Sequence, residues 1–343
     1  MESKQAPNST RRALLGGLAM AAGAAIVAPA RAQSTNLGTG ALTLDQRADL
    51  VKAALRDAKG TKLVILGTGA GPIVGMPRHQ TSHVMVHNGS AYVVDFGLGV
   101  SNEFARTGLK FEQVRAGFLT HHHPDHNIEY GPFLLLSWIY GMNPSAQMYG
   151  PPPLNQMTQE YIRSQASTIQ FWAEDFKEPP LTAVKVNEFS ESGLVMTDEN
   201  VRVSAVRVEH PPVNPAFGYR FDFHDRSIAF SGDTVPLEAV AQMAKGADIL
   251  VHEAMNIAAT QKMAHALAQS NPKRDYDQIM HHMMADHSPV EEVGRIAQEA
   301  GVKTLILSHL TPVMPVTPDA EWRNQAAKHF KGEIIVGYDL MVI

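Results

Sequence analysis

The segment 120–126 concentrates candidate metal ligands in one short loop. It reads THHHPDH, and a strand-like run over Val114–Leu119 leads directly into it. His121 and His123 lie two residues apart, so in an extended turn their side chains project to the same side. A carboxylate and a further imidazole follow after a stiff proline, and a tight loop can direct them to a second point. Such a loop can hold two metal ions about 3.5–4 Å apart, a spacing useful for hydrolysis.

The amino-acid composition limits which kinds of metal site and catalytic group the chain can contain. The chain has 343 residues with 16 His and no Cys, which removes disulfides, cysteine nucleophiles, thiolate zinc sites and iron–sulfur clusters. A hydrophobic fraction of 44% and a charged fraction of 18% are typical of a globular protein. The net charge of −5 argues against a basic surface for nucleic acid. A histidine-rich chain without cysteine suits a borderline metal bound through nitrogen and oxygen.

The order of predicted elements indicates sheets packed on each other and covered by helices. The first half is rich in strand pairs, of which His83–Val86 and Ala91–Asp95 flank a strong hairpin signal, Asn-Gly. The second half alternates strands and helices. Three of its strand-like runs, at 201–208, 249–251 and 304–307, lead to His210, His252 and His309. We see no linker long enough to divide residues 60–343 into domains.

The clearest helix is predicted over Ser288–Ala300. We expect Ser288 to cap its N-terminus in a capping box with Glu291, and Gly301 to end it in the left-handed conformation. Polar Asp286 and Ser288 are expected to be exposed. Further helices are predicted at Leu44–Ala58, Leu134–Tyr140 and Leu154–Phe171.

The pattern His-x-His-x-Asp-His after a strand resembles the signature of the metallo-β-lactamase superfamily. The resemblance covers residues 61–343 and implies an α+β fold, an αββα sandwich of two mixed sheets flanked by helices. It implies one metal on His121, His123 and His210, and another on Asp125, His126 and His309, with Asp233 as the bridging ligand. Two zinc ions per chain are expected, with manganese or iron as alternatives.

Two further motifs resemble those of ribonuclease Z and its arylsulfatase-like and phosphodiesterase-like relatives. They are VHEA at 251–254 and DHSP at 286–289. The resemblance implies that His287 stabilises charge on the substrate or gives a proton to the leaving group, while Glu253 holds its ring. Ribonuclease Z carries a long tRNA-gripping arm between the third metal histidine and the bridging aspartate. Only two short strand-like runs fit between His210 and Asp233, so we expect no arm and no nucleic-acid substrate.

The expected function is hydrolysis of a small ester, of the aryl sulfate or phosphodiester type, by a hydroxide that bridges the two metals. Asp125 would steer this nucleophile or accept its proton. Alternatives are a lactonase or carboxylic esterase, a hydrolytic dehalogenase acting on an activated ring, and a non-catalytic periplasmic metal-binding protein. The last is disfavoured because a metal buffer needs no acid such as His287. His281 and His282 could line the pocket, although surface placement is favoured, and a homodimer is expected only by analogy with relatives.

Residues 1–32 resemble a twin-arginine export signal. Arg11 and Arg12 precede an apolar stretch of about 16 residues, shorter than the roughly 20 needed to span a bilayer as a helix. The small residues Ala30 and Ala32 fit cleavage by signal peptidase at the end of this segment. An N-terminal membrane anchor is the alternative.

This signal predicts where the protein acts. Export by the twin-arginine machinery would deliver a folded periplasmic or secreted protein with no stable membrane insertion after cleavage. The mature chain would begin with a helical lead-in over residues 33–60, followed by the hydrolase domain.

Overall fold

The computed structural model describes residues 42–56, 59–271 and 273–343, and these residues form two facing β-sheets with helices on both outer faces. The predicted αββα sandwich is therefore confirmed. The twin-arginine prediction for residues 1–32 lies outside the described residues. Among the residues that the structure describes, no helix is long and apolar enough to cross a membrane.

The first sheet has seven strands in the order β14-β1-β2-β3-β4-β5-β6. Around Asn88 and Gly89, with φ of 48° and 78°, β2 turns into β3, as the Asn-Gly signal predicts. From β3 to β6 all neighbours are parallel, so the carboxyl ends of these strands share one edge. The strands are β1 (Lys62–Gly67), β2 (Ser82–His87), β3 (Ser90–Val94), β4 (Val114–Phe118), β5 (Gln147–Gly150), β6 (Lys185–Glu188) and β14 (Met341–Val342).

The second sheet also has seven strands, in the order β13-β12-β11-β10-β9-β8-β7. Its strands β10 to β13 are parallel, whereas β8 and β9 form a long antiparallel hairpin. The chain between His210 and Asp233 is used by this hairpin and β10, so the absence of an arm there is confirmed. The strands are β7 (Gly193–Thr197), β8 (Val201–His210), β9 (Val213–Phe223), β10 (Ser227–Phe230), β11 (Ile249–Met255), β12 (Thr304–Thr311) and β13 (Glu333–Val336).

The helices cover the outer faces. The cluster on the first sheet includes residues of α1, α2, α4 and α5, and the cluster on the second includes α7, α10 and α11. A third apolar cluster, rich in Phe and Tyr, fills the space between the sheets. The helices are α1 (Leu44–Arg56), α2 (Val100–Arg106), α3 (Pro124–Asn127), α4 (Tyr130–Ile139), α5 (Leu154–Ser164), α6 (Ala166–Phe176), α7 (Glu238–Met243), α8 (Ile257–Ser270), α9 (Tyr276–Asp286), α10 (Val290–Ala300) and α11 (Asp319–Ala326).

Two helix predictions need correction. The single helix predicted over 154–171 is two helices, α5 and α6, which meet at Gln165. The capping box of Ser288 is wrong: α10 begins at Val290, and the Ser288 hydroxyl instead donates to the Thr234 carbonyl at 2.7 Å. Tertiary contacts bury this residue, so its local capping role is overridden. Gly301 ends α10 with φ of 65°, as predicted.

Candidate metal centre

The ligand-rich loop follows β4 and changes conformation at His123. This residue is extended, with φ of −100° and ψ of 152°, and Pro124 then starts the single turn of α3. The turn places Asp125 and His126 in the interior, where both are buried. An extended stretch followed by one helical turn therefore lets neighbouring residues act as ligands at two different metal positions, as the spacing predicts.

The first ligand group joins His121, His123 and His210. The Nδ1 atom of His123 lies 3.1 Å from Nε2 of His121 and 2.9 Å from Nε2 of His210. Burial lowers the pKa of His121 well below its usual range and that of His210 to about 4. The neutral imidazoles that result are the form that binds a metal.

The second ligand group joins Asp125, His126, Asp233 and His309, all buried. Nε2 of His309 lies 3.2 Å from Oδ2 of Asp125 and 3.1 Å from Oδ2 of Asp233. Nε2 of His126 lies 3.2 Å from the same oxygen of Asp233. Two carboxylates and two imidazoles thus meet at one point, brought together from the loop after β4, the turn after β10 and strand β12.

Asp233 lies between the two groups. Its Oδ2 is also 3.8 Å from Nε2 of His121 and 3.9 Å from Nε2 of His210. Burial alone would raise the pKa of Asp233, but the surrounding histidines hold it well below its usual range. The preceding Gly232 has φ of 62°, and a Cβ there would lie 2.5 Å from the Phe217 carbonyl oxygen. Only glycine fits this turn. The turn places Asp233 between the two groups, where its carboxylate could serve as a ligand to both metals.

The Nδ1 atoms of two ligand histidines, which face away from the centre, are held by hydrogen bonds, and we call their partners anchors. Nδ1 of His210 donates to the Asp286 carbonyl at 2.8 Å, and Nδ1 of His126 lies 2.8 Å from Oδ2 of Asp95. Asp95 also accepts the backbone N–H of Thr120 at 2.8 Å. These bonds aim the Nε2 atoms at the centre and select their tautomers. Asp95 has no role among the predicted site residues, although its place at the end of β3, beside β4, was a usable signal.

The donor atoms fit bound cations. Nε2 of His126 is buried and makes no hydrogen bond with a residue that the structure describes, although Asp233 lies beside it. Such an orphaned nitrogen aimed at two carboxylates is costly unless a cation or proton joins them. Imidazole nitrogens with carboxylate oxygens are ligands for zinc, manganese or iron. All the predicted ligands are thus brought together in two groups that fit metal ions.

His287 and Glu253 form a pair beside both groups. Nδ1 of His287 lies 3.1 Å from Oε2 of Glu253, and the His287 ring centroid is 5.4 Å from that of His210 and 5.5 Å from that of His309. Burial lowers the pKa of His287, but the charge of Glu253 and the bond to it outweigh this and raise it to about 9. Glu253 also accepts the N–H of Thr234 at 2.9 Å. An imidazole paired with a carboxylate, which favours its protonated form, is therefore held next to the metal ligands.

Three histidines near the ligand groups in sequence, His122, His281 and His282, point away from them. His122 donates from Nε2 to the Pro151 carbonyl at 3.0 Å, away from the ligand pair. His281 is exposed, and His282 is exposed and pairs with Asp286 at 2.6 Å. Surface placement of His281 and His282 is thus what the structure shows. Asp286 itself is buried, contrary to the expected exposure, because its backbone supports His210.

Comparison with known proteins defines the class. A family model described as "Anti-Pycsar protein Apyc1" matches residues 61–308. Ribonuclease Z of Mycobacterium bovis is 30% identical over 285 residues, which cover 81% of this chain and 96% of that protein. Ribonuclease Z of Mycobacterium marinum is 31% identical over 286 residues, with coverages of 81% and 96%.

Solved structures show the same fold. Human tRNase Z, short form, has a TM-score of 0.59 at 22% identity and covers 82% of this chain and 98% of its own. The metallo-β-lactamase fold protein YhfI of Bacillus subtilis has a TM-score of 0.58 at 20% identity, with coverages of 83% and 100%. Fold, site and homologues together define a metal-dependent hydrolase of the metallo-β-lactamase superfamily. Within it, the chain belongs to the anti-Pycsar Apyc1 family and is homologous to ribonuclease Z.

Proposed function

We propose that this hydrolase cleaves a phosphodiester bond in a small molecule. The observation that carries the proposal is the single shared carboxylate, Asp233, between two ligand groups, with the ring of His287, paired with Glu253, beside both. Two cations and a proton donor at one point suit a negatively charged substrate. The homologues named ribonuclease Z also favour phosphodiester over sulfate chemistry.

The short chain between β8 and β10 supports a small substrate. The hairpin occupies the chain between His210 and β10, so no arm is available there to grip a large nucleic acid. The net charge of −5 gives no general attraction to a polyanion. A compact phosphodiester, which needs neither an arm nor a basic surface to reach the metal centre, is consistent with both features.

We assign two metals, zinc as the expected ion, to the two ligand groups. One ion would be held by His121, His123 and His210, and the other by Asp125, His126 and His309, with Asp233 shared. When bound, such ions supply a water nucleophile at neutral pH and neutralise charge that develops on phosphate oxygens.

The chain's own residues divide the remaining work. Asp125 is buried beside His309 and accepts the N–H of Gly71 at 2.6 Å, so its carboxylate is fixed and can orient the attacking water. His287 holds a proton that passes to the ester oxygen as its bond to phosphorus breaks. Glu253 stabilises the imidazolium before transfer and fixes the ring, since its carboxylate is itself held by the Thr234 N–H.

The test is a substrate panel with the zinc-reconstituted full chain. We would measure initial rates on bis-p-nitrophenyl phosphate, p-nitrophenyl sulfate, p-nitrophenyl acetate and a precursor tRNA. The expected result is a preference for the phosphodiester that D233N removes and D175N, an exposed aspartate on α6, retains. A preference for the sulfate or the acetate would overturn the phosphodiester assignment. Efficient cleavage of the tRNA would overturn the small-molecule assignment.

Export is a second part of the proposal. We infer from Arg11, Arg12 and the apolar run that follows them that the twin-arginine machinery carries the chain to the periplasm or beyond. Replacing both arginines by lysine should leave the precursor in the cytoplasm, which fractionation and immunoblotting would detect. Undiminished export of the double variant would contradict this route.

A further inference from the structure

Two uncharged loops stand at the rim of the metal centre. They are residues 70–77 after β1 and residues 312–318 after β12, and neither contains Asp, Glu, Lys or Arg. We call them together the apolar lip. Their exposed large hydrophobic side chains are Ile73 at 48%, Val74 at 69%, Met314 at 46% and Val316 at 63% of full exposure.

The loops of the apolar lip leave the fold side by side. Gly69 and Leu310 form a β-bridge, and the Leu310 N–H donates to the Thr68 carbonyl at 2.9 Å. Each loop therefore begins next to the other. Apolar side chains exposed on two adjoining loops can form one patch, unlike an exposed hydrophobic residue that stands alone.

The apolar lip is also connected to the second ligand group. The N–H of Gly71, at the start of the first loop, donates to Oδ2 of Asp125 at 2.6 Å. The second loop starts shortly after His309, whose Nε2 lies 3.2 Å from that same oxygen. Both loops of the apolar lip therefore begin beside the second ligand group.

The first loop is anchored at both ends and the second where it begins, so loose ends do not account for the exposed tips. The N–H of Gly69 donates to the His79 carbonyl at 2.8 Å, and Arg78 donates to the Gly337 carbonyl at 2.7 Å. The Thr311 carbonyl accepts the N–H of Asn256 at 2.8 Å. The structure thus holds apolar side chains in contact with water at a defined place. This exposure is unfavourable in free energy, and an apolar group that bound there would remove it.

We propose that the apolar lip binds the apolar alcohol portion of the phosphodiester, so that the substrate is an amphiphilic small molecule. This inference rests on the proposed function. The attachment of both loops to Asp125 and His309 favours a group of the substrate itself as the occupant. Since the loops carry no Lys or Arg, they have no charge with which to attract an anionic membrane surface.

The experiment compares two substrates that release the same group. Hexyl p-nitrophenyl phosphate and methyl p-nitrophenyl phosphate both yield p-nitrophenolate and differ in the alkyl ester. With the zinc-loaded full chain we expect kcat/KM to be about tenfold higher for the hexyl ester. The double variant V74S/V316S should lose this preference through a higher KM for the hexyl ester, because the contacts it removes are made by the alkyl chain. The control L194S makes a comparable change at an exposed leucine on β7 and should retain the preference.

Three results would overturn the inference. An equal loss on both esters would mean that the loops only support the metal centre. An unchanged preference in V74S/V316S would mean that the alkyl group binds elsewhere. Sedimentation of the wild type with phosphatidylcholine vesicles, lost in the double variant while the preference for the soluble hexyl ester persists, would assign the lip to a lipid surface.

A binding measurement separates this inference from the proposed function. If the wild type hydrolyses neither ester, the phosphodiesterase assignment fails, but the lip remains testable by calorimetry with hexylphosphonate and methylphosphonate. Tighter binding of the hexyl compound by the wild type, by about tenfold, and its loss in V74S/V316S would support the lip without any turnover. Equal binding of the two phosphonates by the wild type would reject it.

Discussion

Two of the places where histidine meets aspartate lie at opposite ends of β10, and only one of these two gathers ligand atoms that could hold a metal. The metal centre lies where β4, β10 and β12 end. The other place, here called the opposite cluster, consists of Thr61 before β1, His87 at the end of β2 and Asp225 between β9 and β10. The residue types are similar, so their surroundings must account for the difference.

In the opposite cluster the polar atoms satisfy one another. The Thr61 hydroxyl lies 2.9 Å from Nδ1 of His87 and donates to Oδ1 of Asp225 at 2.6 Å, while the Thr61 N–H donates to Oδ2 at 2.8 Å. Both carboxylate oxygens are thus used, and the aspartate side chain is 43% exposed. In the metal centre, Nδ1 of His126 and Nδ1 of His210 make hydrogen bonds that point away from the ligand groups. The Nε2 atom of each ring is therefore left to face the other ligand atoms. A metal site differs from a structural cluster because its ligand atoms face one point and are not already paired by hydrogen bonds. The residue types alone do not make this difference.

The largest effect is expected from Asp233→Asn. Loss of the shared carboxylate charge should lower the occupancy of both metal positions and reduce kcat on the preferred ester by about 10³-fold or more. Metal content after gel filtration, measured by mass spectrometry, and initial rates test this. The matched change Asp225→Asn in the opposite cluster should keep both ions and full activity. Retention of two ions by the Asp233 variant would refute the bridging role.

The next effect is expected from His287→Gln, which removes the proton held beside the ligands. We expect kcat to fall by about 10²–10⁴-fold while both metals remain bound. His87→Gln is the control, because the same residue type in the opposite cluster has no substrate contact. Normal turnover by the His287 variant with full metal content would show that the leaving group takes its proton from elsewhere.

A smaller effect is expected from Asp95→Asn, which weakens an anchor and leaves every ligand in place. Metal affinity of the second ligand group should fall by about 10–100-fold, since the anchor of His126 fixes its ring and tautomer. Competition with a zinc chelator measures this loss. Asp198→Asn, at a buried aspartate that accepts the Tyr92 hydroxyl at 2.8 Å, is the control and should leave affinity unchanged. Equal losses in the two variants would point to general destabilisation.

The smallest effect is expected from Asp225→Asn on stability. Burial raises the pKa of Asp225, but hydrogen bonds from Thr61 outweigh it and hold the pKa below its usual range. The ionised carboxylate therefore stabilises the fold above the unfolded pKa of about 3.9, and this contribution is lost as the pH falls through the folded value. The variant should lose about 1 kcal/mol of unfolding free energy at pH 7, a figure kept low because the side chain is part-exposed. Urea denaturation should show a smaller difference near pH 3, and an unchanged difference there would contradict the assignment.

Local chemistry explains why much of the metal centre was predictable. The loop 120–126 carries its ligands within one strand-to-helix turn, so their spacing already implies two points of attachment. His210 and His309 are placed by strand ends, where a sheet gathers side chains at one edge. The Asp95 anchor was missed because it depends on a neighbouring strand, and Ser288 was misassigned because a distant carbonyl outcompetes a local cap.

The residue types of segment 120–126 and the likeness to the metallo-β-lactamase superfamily already specify the ligands and their order along the chain, because both depend on local chemistry. Which side of each ring faces the centre depends on long-range packing, because the anchors come from Asp95 and the Asp286 backbone. Packing also sets the pKa of His287, because burial lowers it and the carboxylate of Glu253, brought close by the fold, outweighs burial and raises it. The apolar lip is a tertiary feature for the same reason: two loops far apart in the chain adjoin because Gly69 pairs with Leu310.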